Sequence, residues 1–231
     1  MATNGDVYDC FGDSVGIFND TIIVGAWGDG TKGTDAGVAC VFIWVNDALI
    51  LQSKFVASDG AANNWFGDSV GICGNTAIVG AEGDDDRRDN SGSEYLFIRD
   101  GDTWTYQGKL VAPDGSATDW FGSAVGIYGN TAVIGAYKDD DNGNNSGSTY
   151  VYVQSEDEWI LHAKLLAPAP GEKIGQSVGV YTMAQSLVVQ PVKCMCLLGR
   201  HSILCFCVFI KIKVTFLRLF KLIYPFTKYI L

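Results

Sequence analysis

A Phe-Gly dipeptide stands at Phe11-Gly12, again at Phe66-Gly67 and again at Phe121-Gly122, at a constant spacing of 55 residues, and the residues in between keep the same order. Self-similarity at such a period means that each unit is one supersecondary element that buries its faces against its neighbours. Units cover 11–65, 66–120 and 121–174. A fourth begins at Gly175 and loses the pattern before residue 190, so 175–190 is an incomplete unit. Residues 1–10 resemble the stretches between units, as in Ser58 to Trp65 and Pro113 to Trp120, and read as the middle of a longer array. Residues 191–231 share nothing with the repeat.

Within the unit the side-chain period is two. Trp104, Tyr106, Gly108 and Leu110 alternate with Thr103, Thr105, Gln107 and Lys109, the pattern of a strand with one covered and one wetter face. Tyr95 and Phe97 alternate with Glu94 in the same sense, while Thr76 to Ala81 is apolar on both faces and predicts a strand with layers on either side. Val70 and Ile72 head a shorter strand. Gly74-Asn75 and Gly101-Asp102 supply tight hairpins. Four antiparallel strands per unit, repeated at this length, predict an all-β partial β-propeller of about three four-stranded blades plus a decayed fourth, followed by an atypical apolar and basic tail.

The dipeptides carry a family resemblance. With Phe-Gly in each unit, and Gly-Ala at Gly25-Ala26, Gly80-Ala81 and Gly135-Ala136, residues 11 to 181 resemble the FG-GAP repeat, the blade of integrin alpha-chain propellers. The proline of the family's Gly-Ala-Pro is replaced by Trp27, Glu82 and Tyr137. The resemblance implies a binding or adhesion module, extracellular or at the cell surface. A kelch or galactose-oxidase-like propeller enzyme, with its active residues in other blades, is the alternative.

Charge divides the chain. Residues 1–190 hold all 26 acidic residues and 9 of the 16 basic ones, a balance of −17, whereas 191–231 hold 7 basic and no acidic residues. An acidic propeller does not suit nucleic acid, whose phosphates need Lys and Arg. It suits cations or basic protein surfaces, and a protein or glycan is the expected ligand. The opening residues lack the basic and apolar regions of a secretory signal. In the tail, Lys211, Lys213, Arg218 and Lys221 flank apolar residues, which makes membrane association an expectation there, although the uncharged run Ser202 to Ile210 is too short to span. A tail outside the true reading frame, or read from an intron, is the favoured expectation, because the fourth unit stops in mid-strand around Val189.

Candidate site residues lie in the loop joining the second and third strands of each unit, GDGTKGTDAG, GDDDRRDNSG and KDDDNGNNSG. Clustered carboxylate and amide oxygens suit calcium, which takes six to eight oxygens. Asp84, Asp86 and Asp89 in the second unit and Asp139, Asp141 and Asn144 in the third are the expected ligands. Their spacing departs from that of a calcium loop, since Gly143 falls where a ligand belongs, and solvated turn residues are the competing reading. The resembled family holds calcium elsewhere, between Phe-Gly and Gly-Ala, where this chain has only a short hairpin. His162 is expected at the surface, and Asp13 and Asp68 in turns. No Ser or Cys stands beside a base in the pattern of the chain, so the expectation is a non-catalytic module. Cys10, Cys40 and Cys73 replace aromatics of the other units and are expected to be packed core fillers. The pairs Cys194/Cys196 and Cys205/Cys207 lack zinc-ligand spacing. An arc of three blades leaves end faces uncovered, so self-association is expected.

Overall fold

The structure is a computed structural model that describes residues 8–183 and the strand segments 186–191, 194–199 and 202–207. Strands β1 (Val15–Phe18), β2 (Thr21–Ala26), β3 (Val38–Val45) and β4 (Ala48–Phe55) form one antiparallel sheet in that order. β5 (Val70–Cys73), β6 (Thr76–Ala81), β7 (Ser93–Asp100) and β8 (Thr103–Leu110) form the second. β9 (Phe121–Tyr128), β10 (Thr131–Ala136), β11 (Ser148–Ser155) and β12 (Glu158–Leu166) form the third. No helix occurs among the described residues, and the three sheets are blades of a partial propeller.

The fourth unit continues slightly beyond its expected end. β13 (Val178–Met183) pairs with β14 (Ser186–Pro191). The tail, expected to lack strand register, carries a further hairpin, β15 (Cys194–Gly199) with β16 (Ser202–Cys207), whose ladder sets Cys194 opposite Cys207 and Cys196 opposite Cys205. The basic tail residues on which membrane association was expected lie outside the described residues.

The first strands of successive blades, β1, β5, β9 and β13, lie against one another. The second strand of each blade is sandwiched, which explains its apolar character on both faces: β6 and β10 are buried along their whole length. Cores form between sheets. Ile23, Val41 and Phe55 of the first blade meet Phe66, Val79, Tyr95 and Phe97 of the second, and Ile78 and Leu96 of the second meet Phe121, Ile134 and Tyr150 of the third.

The repeated dipeptides are the joints between these layers. Phe66 and Phe121 are completely buried, each bridging in parallel to a glycine of the preceding blade, Gly37 or Gly92. The glycine after each Phe adopts φ of +95°, a region that penalises any side chain. Its carbonyl is pressed onto the Gly-Ala strand of the blade before. A Cβ on Gly25 would lie 1.9 Å from the Gly67 oxygen, and one on Gly80 would lie 2.2 Å from the Gly122 oxygen. Ser14 and Ser69 donate to those same carbonyls at 2.6 and 2.7 Å. The motif is therefore a packing device.

Strict alternation in the last strand is broken. A bulge places an extra residue, Gln52, Gln107 or His162, opposite the third strand, so β4, β8 and β12 switch faces there. Lys109 consequently shares a face with Tyr106 and Trp104 and lies opposite Tyr95. His162 is exposed, as expected. Two other expectations are corrected. Glu94, placed by alternation on the wetter face, is completely buried because that face of β7 packs against the third blade. Cys10 is exposed, whereas Cys40 is buried and Cys73 intermediate, and all three are free thiols.

Candidate functional site

The Gly-Ala end of each blade gathers the polar groups, because β2, β6 and β10 finish there and the acidic loops begin. Asp84, with a side chain 2% exposed, accepts from the Tyr95 hydroxyl at 2.7 Å and from the Lys109 ammonium at 2.9 Å. Asp59, from the stretch that leaves the first blade, accepts from the same two groups at 2.7 and 2.9 Å, and Asp86 is the third carboxylate on Lys109. The third blade repeats the cage. Lys164 meets Asp114, Asp139 and Asp141 at 2.8, 2.8 and 2.6 Å, and Tyr150 donates to Asp114 and Asp139. In the first blade Cys40 replaces the tyrosine, and Lys54 meets Asp29 at 3.0 Å.

Electrostatics follow the contacts. Burial alone would raise Asp59 and Asp114, but the lysine and tyrosine hydrogen bonds outweigh it and hold both below the ordinary carboxylate range. Burial and the adjoining carboxylates push the Tyr95 and Tyr150 hydroxyls up. An ammonium has three donors, and each cage presents three carboxylates to them.

The structure thus brings together four of the expected ligands, Asp84 with Asp86 and Asp139 with Asp141. Asp89 and Asn144 stand apart: their carbonyls accept from Thr118 and Gly171, and their side chains bond to the adjacent Asn90 and Asn145. Sequence reasoning missed Asp59, Asp114, Tyr95, Tyr150, Lys109 and Lys164. Their signal was present in the 55-residue recurrence of Lys54, Lys109 and Lys164 and of Asp59 and Asp114. Asp59, Asp84 and Asp86 also form a geometric group of a kind that holds a metal ion, with Lys109 bonded to all three.

Nearer the inner strands lies a second cluster. Trp27, Trp65, Trp120 and Tyr137 form a file of edge-to-face contacts, with centroids 6.4, 6.0 and 5.3 Å apart. All four are half-buried. Trp65 and Trp120 sit at φ of +54° and +56°, a strained region for bulky residues and one that concentrates at functional sites. The Lys138 ammonium lies 3.1 Å from the centre of the Trp120 ring. Trp27 donates to Asp13 at 3.1 Å. Asp68 makes the expected turn, its N–H bonded to the Trp65 carbonyl. Beyond that turn, burial and the Asp13 charge push its carboxyl up to about 6. Glu82, in the family's proline position, is pushed by burial and by Asp68 up to about 8, and burial and Glu82 push Tyr137 to about 12.

Three antiparallel blades joined face to face, with conserved-geometry joints and polar loops at one end, define a repeat protein of the β-propeller class. The FG-GAP repeat family profile matches residues 1–42, 50–97 and 104–152, more than half of the chain, and the chain belongs to that family. No curated protein matches it in sequence. Among solved structures it is similar to a europium-containing methanol dehydrogenase, with a TM-score of 0.42 and 8% identity over 68% of this chain. The chain spans 25% of that protein's length.

Proposed function

We propose that this chain is a non-catalytic binding module of adhesion type, which uses the aromatic and acidic end face to hold a protein or glycan ligand outside the cell or at its surface. The observation that carries the reading is the file Trp27, Trp65, Trp120 and Tyr137, none of them fully buried, beside Asp68 and Glu82. Aromatic faces with polar tips supply contact area at low entropy cost. A surface meant only for packing would bury them.

Calcium enters this reading at the cages. An ion that binds there displaces Lys109 or Lys164, so Lys109→Met raises calcium affinity measured by calorimetry, and unchanged heats remove calcium from the reading.

One observation favours a second reading, an enzyme: Asp68 and Glu82 are neighbouring carboxyls pushed to different values, about 6 and about 8, the pattern of an acid–base pair. Tryptophan fluorescence of the full chain, titrated with a panel of oligosaccharides and peptides, separates the two. Binding without turnover that weakens about tenfold in Trp27→Ala supports the module; turnover of a bound probe that Glu82→Gln abolishes supports the enzyme.

A further inference from the structure

The joint between the second and third blades holds a group that the joint before it does without. Ala39, Glu94 and Thr149 occupy one position of the repeat, each opposite the glycine of the Gly-Ala strand, at Gly25, Gly80 and Gly135. Ala39 brings only a methyl group to the joint between the first and second blades, and is completely buried there. Glu94 brings a carboxyl to the next joint, completely buried, with neither oxygen hydrogen-bonded. Packing of the repeat does not require it.

Among the described residues, no group packed around Glu94 offers it a positive charge. β10 carries no ionisable residue, and that of β9, Tyr128, stands at the far end of its strand. β11 brings Tyr150 and Tyr152, whose hydroxyls donate to Asp114 and Asp139 and to the Val111 carbonyl. Arg87, from the loop after β6, donates to the Pro113 carbonyl and bears on Tyr152. In the segment after β8, Asp114 and Asp119 both lie in the field of Lys164. Lys109 of β8 is turned to the Tyr95 face and held by three carboxylates, and Glu82, beyond the end of β6, lies under the charges of Asp68 and Lys138. The charge that bears on Glu94 is that of Asp68, in the turn before β5, and its sign is the same as a carboxylate's. Burial and that charge keep the Glu94 carboxyl neutral well above the ordinary carboxylate range.

We propose that the joint between the second and third blades is a pH-sensitive latch, closed while Glu94 is neutral and opened by loss of its proton. An ionised carboxyl without hydrogen bonds cannot stay in an apolar core, and reaching water here means parting the two sheets. Phe121, Ile134 and Tyr150 pack in that core, so opening exposes them. The aromatic file crosses the same joint between Trp65 and Trp120, at the entries to the second and third blades, so opening also breaks the file. The latch is independent of what the module binds. Opening releases one proton wherever the pH lies above the ordinary value of 4.5 and below the raised value of the closed joint. The open population is therefore least in acid and climbs about tenfold per pH unit through that window.

Hydrogen exchange of the full chain tests the latch against a control inside the same molecule. The Phe121 N–H donates to the Ser91 carbonyl across the joint that holds Glu94, and the Phe66 N–H donates to the Ala36 carbonyl across the joint that holds Ala39. Asp68 titrates at about 6, so exchange is followed from about pH 6.5 to about pH 8, above that transition. After correction for ordinary base catalysis, the protection of the Phe121 amide is expected to fall about tenfold per pH unit more steeply than that of Phe66. Glu94→Gln removes this excess, as does Glu94→Ala, which copies the preceding joint, whereas Glu82→Gln leaves it in place. Equal slopes at the two joints, an excess that survives Glu94→Gln, or an excess that Glu82→Gln abolishes would overturn the proposal. Should the alanine variant fail to fold, the glutamine variant, which keeps the volume of the side chain, decides the outcome.

Discussion

The first and second blades have the same strand plan and much the same sequence, yet the same positions live in different surroundings. Phe66 is completely buried and Phe11 is 48% exposed; Val70 and Ile72 are buried, whereas Val15 and Ile17 are 65% and 70% exposed. In the second blade a tyrosine and three carboxylates enclose Lys109, and in the first a cysteine stands in place of the tyrosine and one carboxylate meets Lys54. The difference teaches that a blade's faces are completed by the blade before it. The second blade has one; the described part of the first has none.

Substitution at the paired positions should expose this difference most strongly at the joint. Phe66→Ala empties a site packed against Tyr95 and Phe97 and is expected to cost about 3–5 kcal/mol, against less than about 1 for Phe11→Ala. Chemical denaturation of the two variants measures the gap, and equal losses would break the comparison.

The cages come next. Lys109→Met leaves Asp84 buried with two neighbouring carboxylates and no cation, for an expected loss of about 3 kcal/mol. Lys54, partly exposed with one carboxylate, should lose less than about 1 kcal/mol in the same exchange. Similar losses would show that the cages do not differ energetically.

Glu82 sharpens the contrast through pH. Its folded-state value is raised to about 8 from 4.5, so the unfolded chain ionises first as pH rises. The stability tied to a protonated Glu82 is whole below about pH 4.5 and declines up to about pH 8. Glu82→Gln should flatten that decline and stabilise the chain by about 4 kcal/mol at pH 8, as read from melts across the range. The first blade has Trp27 at this position and contributes no such slope. The depressed Asp59 and Asp114 act oppositely, since their contribution is present above their unfolded value of 3.8 and is lost as pH falls through their lower folded values.

The smallest effect on stability belongs to Ile17→Lys, within about 0.5 kcal/mol for an exposed position. Its effect on association is larger. If the open face of the first blade mediates self-association, this charge lowers the mass seen by light scattering, whereas Lys at Asn75, exposed in the turn between β5 and β6 of the second blade, does not.

Much of the fold was legible in the chain because its determinants are local and repeated. Periodicity of two, paired turn residues and the Phe-Gly recurrence at residues 11, 66 and 121 specify hairpins and blades without reference to anything distant. The acidic loops were legible as polar clusters for the same reason, and four of the six expected ligands do converge, Asp84 with Asp86 and Asp139 with Asp141. Tertiary structure decided the rest. A single bulged residue, Gln107 or His162, turns Lys109 or Lys164 onto the face of the tyrosine, and alternation read along the strand puts those lysines on the other side. Asp59 and Asp114 reach the cages across a blade boundary, and Glu94 is enclosed by the neighbouring sheet. Between bulges, sequence determines which face each residue takes relative to its strand neighbours; only the folded sheets determine where a bulge switches faces and which faces meet, and the chemistry of this chain lies where they do.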